Sequence, residues 1–195
     1  MGFLSRIFRR QSGDNEKAVS REDYVILIPK LKINSDKIAE VNRLCEQFYK
    51  TQERYAVVSR ATSVPVDVLF ALHYREASLD FRSCLHNGER IIGNGRVTTL
   101  VPKGRGPFNS WEAAAIDAIT IEKYAFPNEW TLNKKLEFCE RFNGMGYKKR
   151  GVPSPYVLSF TNGYSCGKYV ADGKFDVNFK DQQCGVAAIF LGLNK

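Results

Sequence analysis

A chain of 195 residues with 44% hydrophobic and 26% charged residues is long enough to bury a core and too apolar to be a disordered tail. Its net charge of +8 points to an anionic partner, and cell-wall polymers, acidic membranes and nucleic acid all qualify. No zinc-finger spacing or RNA-recognition signature is present, which sets nucleic acid aside, and the longest apolar runs fall far short of the roughly 20 residues that span a bilayer.

Residues 1–22, rich in Arg, Ser, Gly and Asp, read as a mobile basic tail, and residues 23–195 as one domain. Phe3, Leu4, Ile7 and Phe8 alternate with bases and form no continuous signal-peptide core, so synthesis in a cytosol is expected. A short basic amphipathic helix in the tail would touch a membrane surface. Tyr24–Ile28 is a short apolar segment ending at Pro29. A long helix is expected from Ser35, with Ile38, Val41, Cys45, Phe48 and Gln52 or Tyr55 along one face.

Ser63 is the expected N-cap of the next helix, with Pro65 in its first turn. Val66, Leu69, Phe70 and His73 recur at helical spacing, which places Glu76 at the edge of the apolar stripe. A carboxyl there would be partly desolvated and favour its neutral form; the plain alternative is a surface glutamate paired with Arg75. Beyond the helix, Asn87-Gly88 and Asn94-Gly95 are turn signals beside the β-prone Arg90–Ile92 and Arg96–Val101. They predict a hairpin with Gly93–Gly95 at its tip and Glu89 at its base, returning Glu89 towards the Glu76 helix.

Two carboxyls from different elements, one in an apolar wall and one facing water, are what glycoside hydrolysis commonly uses. Glu76 would protonate the leaving oxygen, while Glu89 would activate water or stabilise the cation; an exposed hairpin carboxylate is the alternative reading of Glu89. The loop Pro102–Pro107 is too rich in Gly and Pro to be regular. Asn109-Ser110-Trp111-Glu112 opens an alanine-rich helix carrying Ile116, Ile119 and Ile121, and Thr131 caps another, with Leu132, Leu136, Cys139 and Phe142, ending at Gly144. A final apolar helix is expected over about Asp181–Leu191. The architecture predicted is α+β, mostly helical, two-lobed, with a small β-hairpin.

Five cysteines, Cys45, Cys84, Cys139, Cys166 and Cys184, form no CxxC pair, so no metal or other cofactor is expected. Cys184 stands near the start of the last helix, where a dipole lowers a thiol pKa; paired with His73 or His86 it would make a wall peptidase, against a buried helix cysteine as the alternative. The aromatic and amide residues Tyr147, Tyr156, Asn143 and Asn162 suit a sugar cleft, Tyr faces stacking on pyranose rings and amides gripping acetamido groups. Asn143 before Gly144 also suits a helix C-cap.

The segment Glu76–Phe81 resembles the Glu-Ser-x-Phe-type catalytic motif of lysozyme-like proteins, with Ala77 where Ser is usual. Arg141–Tyr147 is similar to their Tyr-Asn-x-Gly motif, with Phe142 in place of Tyr, and Ser154–Tyr156, Thr161–Tyr164 and Gly167–Phe175 resemble a phage-type subgroup. The resemblance covers roughly residues 60–190 and is nearest to bacterial and phage cell-wall lysozymes (endolysins) and lytic transglycosylases. It implies an enzyme that cuts the β-1,4 bond between N-acetylmuramic acid and N-acetylglucosamine in peptidoglycan, with Glu76 as acid and with Asn143 and Tyr147 of the matching motif lining the site. Glu89 as second carboxyl, and Tyr156 and Asn162 as substrate-binding residues, are expected from the residues themselves, and a monomer is expected. Acting on the wall from a cytosol requires release by another agent. A transglycosylase would use Glu76 alone, and the Ala77 and Phe142 departures leave open a non-catalytic glycan-binding module.

Overall fold

The computed structural model describes residue 24, residues 27–121 and residues 126–194. The expected basic tail, and Val25 and Ile26 of the Tyr24–Ile28 segment, lie outside these residues. About 51% of the structure is helical, with one small antiparallel sheet, a mostly helical α+β fold. Among the described residues the longer α-helices are α1 (Ile38–Thr62), α2 (Val66–Ala77), α3 (Trp111–Thr120), α4 (Leu132–Asn143), α5 (Gly146–Arg150), α6 (Pro155–Leu158) and α7 (Val186–Leu193). The strands are β1 (Lys168–Ala171) and β2 (Lys174–Asp176). Among the described residues no single helix is long and apolar enough to cross a membrane.

The chain divides into two compact units, one of residues 46–128 and the other, among described residues, of 24–45 and 129–194. In the first unit, Phe48 and Tyr55 of α1 pack edge-to-face on Phe70 of α2, with ring centroids 5.4 and 5.7 Å apart. Tyr55 also meets His73, Phe81 and Trp111, so one aromatic cluster joins α1, α2 and the start of α3. Fully burying a side chain such as Phe70 contributes about 1.5–3 kcal/mol. Ser110 caps α3 as its sequence suggests, its hydroxyl accepting the Ala113 N–H at 3.2 Å.

In the second unit α4, α6 and α7 pack against one another, and Leu136, Cys139, Val157, Leu158 and Ile189 of these helices are buried. Thr131 caps α4 by accepting the Lys134 N–H, and Gly144 ends it, both as read from the sequence. Cys45 and Cys139 are buried core residues, and among the described residues no disulfide joins the five cysteines.

Three expectations are corrected. Ser63 does not open α2: with φ of 59° it closes α1, its N–H reaching the Ser59 carbonyl at 2.8 Å, and Pro65 occupies the N-cap of α2. The segments around Gly93–Gly95 are not strands. The N–H of Ile92 goes to Arg82, that of Gly93 to Phe108 and that of Thr98 to Arg105, so no ladder joins the two arms. The two-stranded sheet lies instead at Lys168–Asp176, where Tyr169 pairs with Phe175 around Asp172-Gly173. Finally, the last helix begins only at Val186, because Gly185 is extended and Asp181 is committed to a 2.6 Å ion pair with Lys168.

His73 has a pH consequence. Its imidazole is fully buried, with Nδ1 2.9 Å from the Tyr55 hydroxyl. Burial lowers its pKa to about 4, outweighing the upward pull of the Asp80 carbonyl and of the Asp80 and Glu112 charges. The unfolded chain therefore takes up this proton first as pH falls from about 6.5, and stability drops by about 3 kcal/mol by pH 4. Urea unfolding at intervals between those limits should show that slope, and His73→Gln should flatten it; equal slopes in the two proteins would assign it to other groups.

Candidate active site

Glu76 sits in the last turn of α2 with only 2% of its surface exposed. The helix ends one residue later through two consecutive left-handed residues, Ser78 (φ 49°) and Leu79 (φ 63°). The Ser78 N–H returns to the Tyr74 carbonyl at 3.0 Å and that of Leu79 reaches the His73 carbonyl at 3.5 Å. A left-handed conformation costs non-glycine residues about 1–2 kcal/mol each and persists only where the surroundings enforce it.

What faces this helix end is the turn His86-Asn87-Gly88-Glu89. Gly88 has φ of 78°, and a Cβ added to it would lie 2.6 Å from the Glu76 carbonyl oxygen. The turn therefore meets the Glu76 helix by backbone contact at Gly88, without the hairpin that the sequence predicts. Asn87 shapes it: its Oδ1 accepts the Glu89 N–H at 3.0 Å and the Cys84 thiol at 3.2 Å, and its Nδ2 donates to Glu89 Oε2 at 2.8 Å.

The Glu89 carboxylate is fully engaged. Its oxygens accept the Thr99 N–H (2.9 and 3.0 Å), the Thr99 hydroxyl (2.5 Å), the Leu100 N–H (3.0 Å) and the Asn87 amide. Burial alone would raise its pKa, but the Thr99 hydroxyl, the Leu100 and Thr99 amides and the Asn87 side chain together hold it below the usual carboxylate range. Glu89 is thus an anion near neutral pH, anchoring the Thr99-Leu100 backbone where the expected hairpin would have used a strand partner.

A second carboxylate braces the same region. Asp117 of α3 meets His86 Nε2 at 2.7 Å and takes both the Nε–H (2.9 Å) and an Nη2–H of Arg105. Burial pushes its pKa up, and the hydrogen bonds and charges of Arg105 and His86 more than reverse this. His86 is fully buried and stacks on Phe108, 5.5 Å between centroids. No protein family matches this chain, nor does any curated protein or solved structure.

The expected substrate-binding residues all belong to the second unit. Asn143 (4% exposed) and Tyr156 (2%) are buried. Tyr147 is nearly so, its hydroxyl accepting the Tyr169 N–H at 3.2 Å and its ring meeting Tyr169 edge-on. Asn162 is exposed, but its amide spans the backbone of Lys30 and Lys32, with bonds of 3.0 and 2.8 Å. Cys184 is fully buried with its thiol directed at the Gly185 carbonyl, and both imidazoles have other partners in Tyr55 and Asp117. Among the described residues no group of His, Cys, Asp and Glu is arranged to hold a metal.

Sequence reasoning missed Thr99, Arg105 and Asp117. The pairing of His86 with Asp117 spans 31 residues, and no spacing rule joins a turn histidine to a helical aspartate at that distance.

Proposed function

We propose that this protein cleaves the glycan strand of peptidoglycan at the β-1,4 bond between N-acetylmuramic acid and N-acetylglucosamine, with Glu76 as general acid. The observation that carries the reading is Glu76, 2% exposed at a helix end that two left-handed residues close and whose Glu76 carbonyl the Gly88 turn meets. General-acid catalysis needs Glu76 to carry the proton it gives to the leaving glycosidic oxygen. The resemblance of Glu76–Phe81 and Arg141–Tyr147 to lysozyme-like motifs supports the same substrate.

The saturation of Glu89 favours the single-carboxyl route. Glu76 gives its proton to the bridging oxygen as the bond from C1 of the muramic acid to that oxygen breaks. The muramyl 6-hydroxyl then bonds to C1, and its proton goes to the Glu76 carboxylate. The product ends in an anhydro sugar, no water is consumed, and Glu76 regains the proton it lost. In the hydrolytic alternative water takes the place of the 6-hydroxyl and leaves a reducing end.

Dye release from labelled peptidoglycan should fall roughly 10²–10⁴-fold in Glu76→Gln, with the fold intact by circular dichroism. Mass spectra of wild-type products should show anhydro ends; reducing ends would move the assignment to a hydrolase. Undiminished release by Glu76→Gln would overturn the mechanism, and a wild type that binds but does not release dye would make the protein a glycan-binding module.

A further inference from the structure

We propose that Glu89 is a positioning residue for Glu76: through the His86–Glu89 turn it fixes the end of α2, and it does not touch the substrate. The inference rests on the reading of Glu76 as the acid and deepens it.

An ionised carboxylate offers about four lone-pair sites. Four donors reach Glu89: the Thr99 N–H, the Thr99 hydroxyl, the Leu100 N–H and the Asn87 amide. A carboxylate so occupied has no lone pair to direct at water or at an anomeric carbon. It exerts its force on the turn instead.

Each residue of that turn has one mechanical task. His86 is held by Asp117, Asn87 folds the turn through the Glu89 N–H, Gly88 rests on the Glu76 carbonyl, and Glu89 fastens the turn to Thr99 and Leu100. The loop it fastens to is closed on itself. The Thr98 N–H reaches the Arg105 carbonyl at 3.0 Å, the Thr98 hydroxyl donates to the Pro102 carbonyl, and the Arg105 N–H returns to the Thr98 hydroxyl at 2.9 Å. Arg105 is in turn bound by Asp117, the residue that holds His86. Glu89 and Asp117 therefore grip one loop near its two ends and one turn at its two ends. Gly88 lies between those grips, and its contact sets the Glu76 backbone.

The test compares wild type, Glu89→Gln, Glu89→Ala and Asp117→Asn, with 13C-labelled glutamate and peptidoglycan turnover. If Glu89 positions, Glu89→Gln moves the Glu76 side-chain 13C resonance and speeds hydrogen exchange at the Thr99 and Leu100 amides. It also lowers kcat about 100-fold while KM stays within about twofold, the signature of a misplaced acid. Asp117→Asn, which leaves Glu89 untouched, reproduces the resonance shift and part of the kcat loss, and carries the test should Glu89→Gln fail to fold. Added azide does not restore turnover to Glu89→Ala.

Formation of a glycosyl azide by Glu89→Ala would show that Glu89 stands at the reacting carbon and would overturn the proposal. An unmoved Glu76 resonance in both Glu89→Gln and Asp117→Asn would overturn it equally. A wild type without turnover defeats the peptidoglycan reading alone, because the resonance and exchange data still decide whether Glu89 sets Glu76.

Discussion

Gly185→Ala is expected to cost about 3 kcal/mol or more of folding stability, since its new methyl meets only backbone. The added Cβ would lie 2.6 Å from the Ser159 nitrogen, 2.6 Å from the Val157 oxygen and 2.8 Å from the Ser159 oxygen. None of these is the end of a flexible side chain, so either the Gly185 strand or the end of α6 must shift. The shift breaks the Gly185 N–H bond to the Ser159 carbonyl (3.0 Å) and tilts α7, whose Val186–Phe190 are all buried. For a protein of this size that corresponds to a fall in melting temperature of about 6–12 °C. The φ of Gly185 is −75°, so backbone preference plays no part. A loss under about 1 kcal/mol, measured by urea unfolding, would mean that the two segments separate easily.

The helices were legible where one physical signal dominated. The 3.6-residue spacing of Val41, Cys45, Phe48 and Tyr55 marks the buried face of α1, though Ile38, placed on the same face, is 39% exposed. Ser110 and Thr131 announced α3 and α4 because a hydroxyl before an apolar run has few better uses than the free N–H groups of a first turn. Ser63 failed under the same rule because the unpaired carbonyls of α1 lay one residue away and the chain there turns left-handed.

The sheet was misplaced for a reason specific to Glu89. Arg90–Val101 has β-prone residues around the Gly93-Asn94-Gly95 turn signal, yet strand propensity only reports fitness for a pleated surface with a partner. A side-chain carboxylate took the Thr99 and Leu100 amides first. Asp172-Gly173, an equally strong turn signal, does close a hairpin, with the aromatic pair Tyr169 and Phe175 opposite one another at 5.2 Å. Of the site, Glu76 and Glu89 could be picked out because short motifs surround them. The loop and helix residues that grip the turn, Thr99, Arg105 and Asp117, could not, since they meet only after the chain has folded.

Gly88→Ala should be the most informative substitution in the first unit, because it strikes stability and the proposed acid Glu76 together. At φ of 78° a side chain costs about 1 kcal/mol in backbone conformation, and the 2.6 Å approach to the Glu76 carbonyl adds about 1–3 kcal/mol of overpacking. The two parts separate experimentally, since Gly93 has φ of 72° with nothing within 4 Å of an added Cβ. Gly93→Ala should therefore lose only the conformational part, about 1 kcal/mol, with peptidoglycan turnover unchanged. Gly88→Ala should lose about 2–4 kcal/mol and, with its Glu76 carbonyl displaced, about 100-fold in turnover at a temperature where it remains folded. If the two variants lost equal stability in urea titrations, the carbonyl contact would carry no energy and the turn would not position Glu76. Unequal stabilities with equal turnover would instead confine the contact to folding, leaving Glu76 placed by α2 alone.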